Sequence, residues 1–396
     1  MVGLGVVLFS TSASAHPAAR QLRSAAAERG LECELHDTTL DCRPAGAAPE
    51  TTPARLELAP LLPQWDRVGA GARAQLLAQW LETLPPAEDW AVPESFAEAA
   101  PRLRLRLRPR AALVHRPETA RLPLGDHLAA ELVLAGTASR RPVHTAWLDE
   151  WSISLAEAAL QAARNQGAPL VPPAPASSGS TVTAVEPGPG LADVADLLPG
   201  LVLDAWGQGP VLALCRSSTE LLLCPLSGPG CQSALLEAAE ASPRAGVPLS
   251  HQPLLWTQAG WTSWRPEAET PQSARWLAVI AHEQAVFDEI SLPALDPATG
   301  FHGSLSAVVR EGLPGTLATW VPASATVPVA DWLALTDQTE DHYLIVRWDR
   351  AAPHLQDHLR PLPQHSPPRM RVTRPIDAAT FSALAPLAEG GVRSVR

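Results

Sequence analysis

The stretch that most restricts the fold is 211–225, VLALCRSSTELLLCP. Apolar residues run to Cys215, polar residues fill 216–220, and apolar residues resume at Leu221. A short polar break between two short apolar runs reads as two β-strands joined by a turn. An apolar strand at 201–206 precedes the pair and a helix at 231–241 follows it. Cys215 and Cys224 stand nine positions apart, and a turn at 219–220 sets them opposite each other across the ladder. The same separation recurs at Cys33 and Cys42 in ECELHDTTLDC, where the turn falls at 37–38. Directly opposed residues of a non-hydrogen-bonded pair are close enough for a disulfide. Two readings stand at this point. Either Cys33–Cys42 and Cys215–Cys224 are bridged and Cys231 is left over, or all five thiols are buried as small apolar residues.

The rest of the chain alternates helix and strand patterns without a tandem repeat. Helical spacing covers 18–29, 72–84, 273–290, 353–360 and 377–387, with a short helix at 191–198. Ser154 and Glu157 form a capping box that opens a helix through Asn165. Strand patterns fall at 55–58, 102–108, 128–134, 142–145, 304–309, 317–321 and 343–348, and 254–264 reads as a hairpin. This mixture predicts an α+β fold, with mixed or antiparallel sheets, hairpins and packed helices in two or three subdomains. The expected division is a signal peptide at 1–15, an α+β region at 16–166, a Pro/Gly/Ser-rich connector at 167–190, an α+β hairpin region at 191–265 and a C-terminal α+β domain at 266–396.

Composition removes several chemistries. The 30 basic residues are all arginine, so there is no lysine. Pyridoxal Schiff-base enzymes, lysine aldolases, Walker A nucleotide sites and Ser-x-x-Lys hydrolases all need one. A net charge of −11 disfavours a general nucleic-acid binder, since no broad basic surface would release counterions. No 18-residue apolar run follows the N-terminus, so no membrane span is expected in the mature chain. At the N-terminus, an apolar run at 2–9 followed by Ala13-Ser14-Ala15 matches a cleavable leader without the usual basic start. A periplasmic or secreted protein is expected from it. The alternative is a cytoplasmic protein with an irregular start.

Four patterns are candidate sites. In RLRLRLR, leucines take one face of a strand and Arg102, Arg104, Arg106 and Arg108 the other. Such a row either holds a phosphate or carboxylate, or forms the solvated side of an edge strand. His354 and His358 share the i, i+4 spacing of zinc ligands, with Asp357 between and His342 or His365 as distant third candidates. The bland reading is two exposed histidines in a Pro-rich region. His282-Glu283 lacks the second histidine of a zincin and reads as the polar side of a helix. Trp256, Trp261 and Trp264 would either stack on a ligand or pack as core and rim. No G-x-S-x-G, G-x-G-x-x-G or Cys-x-x-Cys occurs. A Cys–His nucleophile could use Cys231 with a distant histidine, a pairing that leaves no local pattern in the sequence.

Between about Arg102 and Trp264 the chain carries an ordered series of patterns: PRLRLRL, LPLGDHLAAELVLAG, VHTAWLDEWSISLAEAALQAARNQ, DVADLL, GPVLALCRSSTELLLC and VPLSHQPLLWTQAGW. In that order they resemble the YtpQ-like family of bacterial proteins of unknown function. Asn165-Gln166 departs from the family's Asn-Leu. The resemblance implies no activity and no catalytic residue, and its known members are intracellular. That placement stands against the export expected from the leader. With the leader, the tryptophan-rich strands and the absence of catalytic motifs, the expected function is a non-catalytic binding or interaction protein of the bacterial envelope, with a protein or envelope ligand and no cofactor. One alternative is an exported metal-dependent hydrolase using zinc on His354 and His358. The other is a cytoplasmic interaction module.

Overall fold

The computed structural model describes residues 16–36, 39–47, 53–58, 62, 65–66, 69–81, 84, 92–136, 140–166, 182–185, 209–241, 249–257, 260–267, 270–295, 299–363 and 365–394. The expected leader at 1–15, the helix at 191–198, the strand at 201–206 and most of the 167–190 connector lie outside them. The fold is α+β, with ten helices and several sheets among the described residues. Two compact units are present: Met1–Arg102 with Val133–Pro142, and Leu103–Leu132 with Val143–Arg396.

The smaller unit begins with α1 (Pro17–Ala27). His16 caps it by accepting the Ala18 N–H, and Pro17 sits at the first helical position, where a missing N–H costs nothing. Ala18, Ala19, Leu22 and Ala26 make its buried stripe. Next come β1 (Leu31–His36), β2 (Thr39–Pro44) and β3 (Ala54–Glu57), which form an antiparallel sheet in that order. Cys33 pairs with Cys42 across β1 and β2 and the two are disulfide-bonded, with Cα atoms 4.1 Å apart. Helix α2 (Ala70–Leu81) packs on α1, and α3 (Phe96–Ala99) follows, capped by Ser95.

The larger unit starts with β4 (Leu103–Pro109), α4 (Arg110–Leu113), β5 (Arg121–Leu124) and β6 (Leu128–Ala135). The last residues of β6 pair with β7 (Arg140–Pro142) inside the smaller unit. After α5 (Thr145–Glu150) comes α6 (Leu155–Asn165), which begins with the expected capping box: Ser154 Oγ accepts the Glu157 N–H, and Glu157 accepts the Ser154 N–H. Its C-terminal amides meet β4. Gln166 accepts the Leu105 N–H at 2.9 Å and donates to the Leu105 carbonyl at 2.7 Å, as a neighbouring strand would. Asn165 donates to the Leu103 carbonyl. The outer edge of β4 is thus closed by side chains, a protected edge.

Strand β8 (Thr183–Val185) lies inside the expected connector and pairs with β10, so this part of the connector belongs to a sheet. Two of its three residues, Thr183 and Val185, are β-branched, which suits a strand. Strands β9 (Val211–Ser217) and β10 (Glu220–Pro225) form the expected hairpin, and α7 (Cys231–Glu240) follows. Strands β11 (Leu254–Thr257) and β12 (Gly260–Ser263) complete a sheet of order β12-β11-β9-β10-β8. The fully buried β9 is its middle strand.

Helix α8 (Pro271–Ser291) packs against α7 and against two strands of the next sheet. Its Trp276, Ile280, Phe287 and Ile290 are buried, and each such side chain contributes about 1.5–3 kcal/mol. The remaining strands are β13 (Phe301–His302), β14 (Leu305–Arg310), β15 (Leu313–Trp320), β16 (Ser324–Pro328), β17 (Trp332–Thr336) and β18 (His342–Arg347). They are followed by α9 (Trp348–Leu355), β19 (Leu359–Leu362), β20 (Arg369–Val372), α10 (Ala378–Leu384) and β21 (Arg393–Ser394). One sheet runs β14-β15-β17-β18-β21 and another β13-β16-β20-β19. Trp320, Val327, Leu333, Leu335, Leu344, Val346 and Leu355 belong to the core that these elements share. A buried ion pair fixes α8 to them: Arg369 donates to Asp288 and to the Gly303 carbonyl, and Asp288 accepts the Leu305 N–H. Burial raises the Asp288 pKa, while Arg369 beside it pulls the other way.

Candidate functional site: a charged cleft at one end of a sheet

A cleft of about 330 Å³ opens where β14 turns into β15, where β17 begins and where β18 runs into α9. It is lined by Arg310, Glu311, Leu313, Trp332, Arg347, Asp349, Arg350 and Glu389. Local sequence explains the placement. Glu311 and Gly312 have φ of 50° and 81°, the left-handed pair that a tight hairpin turn needs, so Arg310 and Leu313 face each other at the strand ends. Trp332 pairs with Arg347 across β17 and β18. The Trp332 ring lies against Gly315 of β15, in the space a Cβ would fill. Ahead of it, Asp331 accepts both the N–H and the hydroxyl of Thr316, and Thr316 Oγ accepts the Asp331 N–H, which clamps β17 to β15.

The back of the cleft is a closed polar set. Glu389 accepts from Arg310 Nε at 3.2 Å and from the Trp332 indole N–H at 3.1 Å. The Glu389 N–H donates to the Ile345 carbonyl, which ties this loop to β18. The Arg347 guanidinium carbon stands 5.4 Å from the centre of the Trp332 ring, a cation–π contact worth about 0.5–1 kcal/mol at an accessible site. Arg347 Nε is 3.7 Å from Asp349 Oδ1, which also accepts the Arg350 N–H. Among the described residues, neither the Arg350 guanidinium nor the Glu311 carboxylate has a hydrogen bond or an ion pair. Chemically, the arrangement presents charges of both signs around a buried aromatic floor, with Arg310 and Glu389 held in place and Glu311 and Arg350 exposed.

The residues singled out from sequence lie elsewhere. His354 and His358 do not share a helical turn: α9 ends at Leu355 and His358 follows in a turn. His354 is exposed, while His358 is buried, its Nδ1 facing the carbonyls of Arg374 and Pro375 and its Nε2 facing Thr380 Oγ1 and Arg374. His342 is paired with Asp337 at 2.9 Å. Among the described residues, no group of three or more His, Cys, Asp or Glu side chains stands where it would hold a metal ion.

The arginine row is also corrected. Arg102 belongs to the short turn before β4, where it donates to the Ala135 carbonyl. Arg104 donates to the Leu103 carbonyl, and Arg106 and Arg108 are only 3% and 9% exposed. The row is not a solvated face, because the arginine side of β4 is covered as well as the leucine side. Trp264 packs edge-on against Trp276 in the core, and Trp256 and Trp261 pair across β11 and β12 with ring centres 5.1 Å apart.

Cys215 and Cys224 are not bridged. Leu221 stands opposite Cys215, Leu212 stands opposite Cys224, and a bulge falls between Glu220 and Leu221. The bulge shifts the pairing by an odd number of positions, which sends the two side chains to opposite faces. Cys224 is instead bonded to Cys231 at the start of α7, so Cys231 is not a nucleophile. Cys215 is buried and lies in neither disulfide.

Two buried polar groups were not foreseen. Glu283, expected on a polar helix face, is 7% exposed and accepts the His251 N–H at 2.7 Å; burial pushes its pKa up to about 7. His127 is buried between Ser263 Oγ, 3.0 Å from Nδ1, and the Gln252 carbonyl, 3.0 Å from Nε2. Its desolvation lowers the pKa to about 3. Ser263 Oγ also accepts the Asp126 N–H, so this couple sits in a closed network.

No described helix is long and apolar enough to cross a membrane. Comparison with protein-family models, with curated proteins and with solved structures gives no match.

Proposed function

We propose that the chain is a non-catalytic binding protein of the bacterial cell envelope, related to the YtpQ-like proteins, that takes a charged ligand in the cleft around Trp332. The observation that carries this reading is the cleft. It gathers three guanidinium groups and three carboxylates over an aromatic floor that Glu389 and Gly315 hold in place. Preset polar groups of this kind fix the orientation of a small ligand. Export is supported by the Cys33–Cys42 and Cys224–Cys231 disulfides, which persist in oxidising compartments, and by the Ala13-Ser14-Ala15 pattern.

Thermal unfolding in a panel of small charged solutes tests the reading. At least one solute is expected to raise the melting temperature of the wild type and to leave Arg347→Gln unmoved, because a ligand that binds only the native state stabilises it. A panel that shifts both proteins equally, or neither, would count against a ligand in this cleft.

A further inference from the structure

We propose that the cleft takes a small zwitterion, a molecule with one carboxylate and one ammonium group, such as a free amino acid or a short peptide. This rests on the binding reading above and narrows it to a chemical class. The argument comes from which charges are already used. Arg310, Glu389 and the Trp332 indole N–H satisfy one another at the back wall. Arg347 lies over the indole with only a 3.7 Å approach to Asp349, which leaves guanidinium donors for a ligand. Among the described residues, two lining groups then remain without partners, one of each sign: the Arg350 guanidinium and the Glu311 carboxylate.

The lining charges balance, three arginines against Glu311, Asp349 and Glu389. A simple anion held by Arg347 and Arg350 would also face Glu311 and Asp349. A simple cation drawn to Glu311 would face two guanidinium groups. A dipolar ligand satisfies both ends, its carboxylate on Arg350 and Arg347 in charge-assisted hydrogen bonds and its ammonium on Glu311. A volume of about 330 Å³ lies at the small end of ligand sites, which suits a molecule of that size.

Calorimetric titration of the full chain with its disulfides intact tests this, using glycine, diglycine, succinate and ethylenediamine as probes. Glycine or diglycine is expected to bind about tenfold more tightly than either probe with charge of only one sign, a difference of about 1.4 kcal/mol. Glu311→Gln and Arg350→Gln, both at exposed positions, are each expected to cost the zwitterion about tenfold, with far-ultraviolet circular dichroism unchanged. Glu311→Gln is expected to leave succinate binding no weaker. Preference for glycine assigns a free amino acid, and preference for diglycine assigns a peptide. Succinate or ethylenediamine binding as well as the zwitterions would overturn the zwitterion assignment while leaving a binding cleft. No binding by any probe would overturn both.

Discussion

At Gly315 the cleft depends on an absent side chain. An added Cβ would meet the Trp332 ring and stand 2.9 Å from Asp331 Oδ2. Overpacking of this kind costs about 1–3 kcal/mol. Gly315→Ala is therefore expected to lower the unfolding free energy in urea by that amount and to weaken ligand binding, because the indole must move off Glu389. Unchanged stability would mean that the ring is not held against β15. A glycine inside a strand signals a close approach, but the strand pattern was legible only over 317–321, so Gly315 fell outside it. Trp332 and Glu389 carried no hint: a tryptophan in ADWLALT reads as core, and Glu389 reaches the site from a loop far along the chain. The charge of Glu283 misled in the same way. Helix α8 keeps an exposed stripe through Arg275, His282 and Glu289, but Glu283 falls beside it on a covered side, and no residue pattern along α8 declares the neighbour that covers it.

The two cysteine hairpins show what was legible at the scale of elements and where legibility stopped. Strand existence followed from apolar runs, and most predicted helices and strands are present within a few residues of their expected ends. Pairing is a finer matter. Both hairpins have cysteines nine apart, but Cys33 pairs with Cys42 in an unshifted ladder and Cys215 does not pair with Cys224. The bulge after the second turn decides this, and no residue in SSTE announces it. Strands β5, β16, β17, β19 and β20 escaped notice because they are short or contain proline, which weakens the alternation signal. The corrected pairing gives a direct count. Denatured, non-reduced protein is expected to expose one reactive thiol, which Cys215→Ser removes. Cys231→Ser is expected to expose two, by releasing Cys224. Five thiols in the wild type would contradict both bridges.

Over the whole molecule, buried titratable groups make stability depend on pH from both sides. Glu283 has its folded pKa raised from 4.5 to about 7. The native state therefore holds a proton that the unfolded chain has released between those values. The stability it contributes is complete below pH 4.5 and is lost as the pH rises through about 7. His127 has its folded pKa lowered from 6.5 to about 3, and His365 to about 4. Both are neutral in the native state where the unfolded chain would be charged, so their stabilisation is complete above pH 6.5 and is lost as the pH falls. The Glu283 effect amounts to about 3 kcal/mol at one pKa unit per 1.36 kcal/mol. Glu283→Gln cannot ionise and keeps an acceptor for the His251 N–H. From pH 5 to about 6.5 the two histidines outweigh Glu283, so urea unfolding is expected to show stability rising with pH in the wild type and rising more steeply in Glu283→Gln, the two curves diverging up to about pH 7. Parallel curves would show that Glu283 does not hold its proton in the fold.

The indole N–H of Trp332 is the most direct reporter of the proposed cleft, since it is hydrogen-bonded to Glu389 and lies beneath Arg347. Proton–nitrogen correlation spectra recorded during titration with diglycine should move that resonance and saturate with the same affinity as the heat of binding, while the core indole of Trp276 stays fixed. A Trp332 resonance that remains in place while the heat of binding develops, or that moves only together with Trp276, would contradict a ligand site at the end of this sheet.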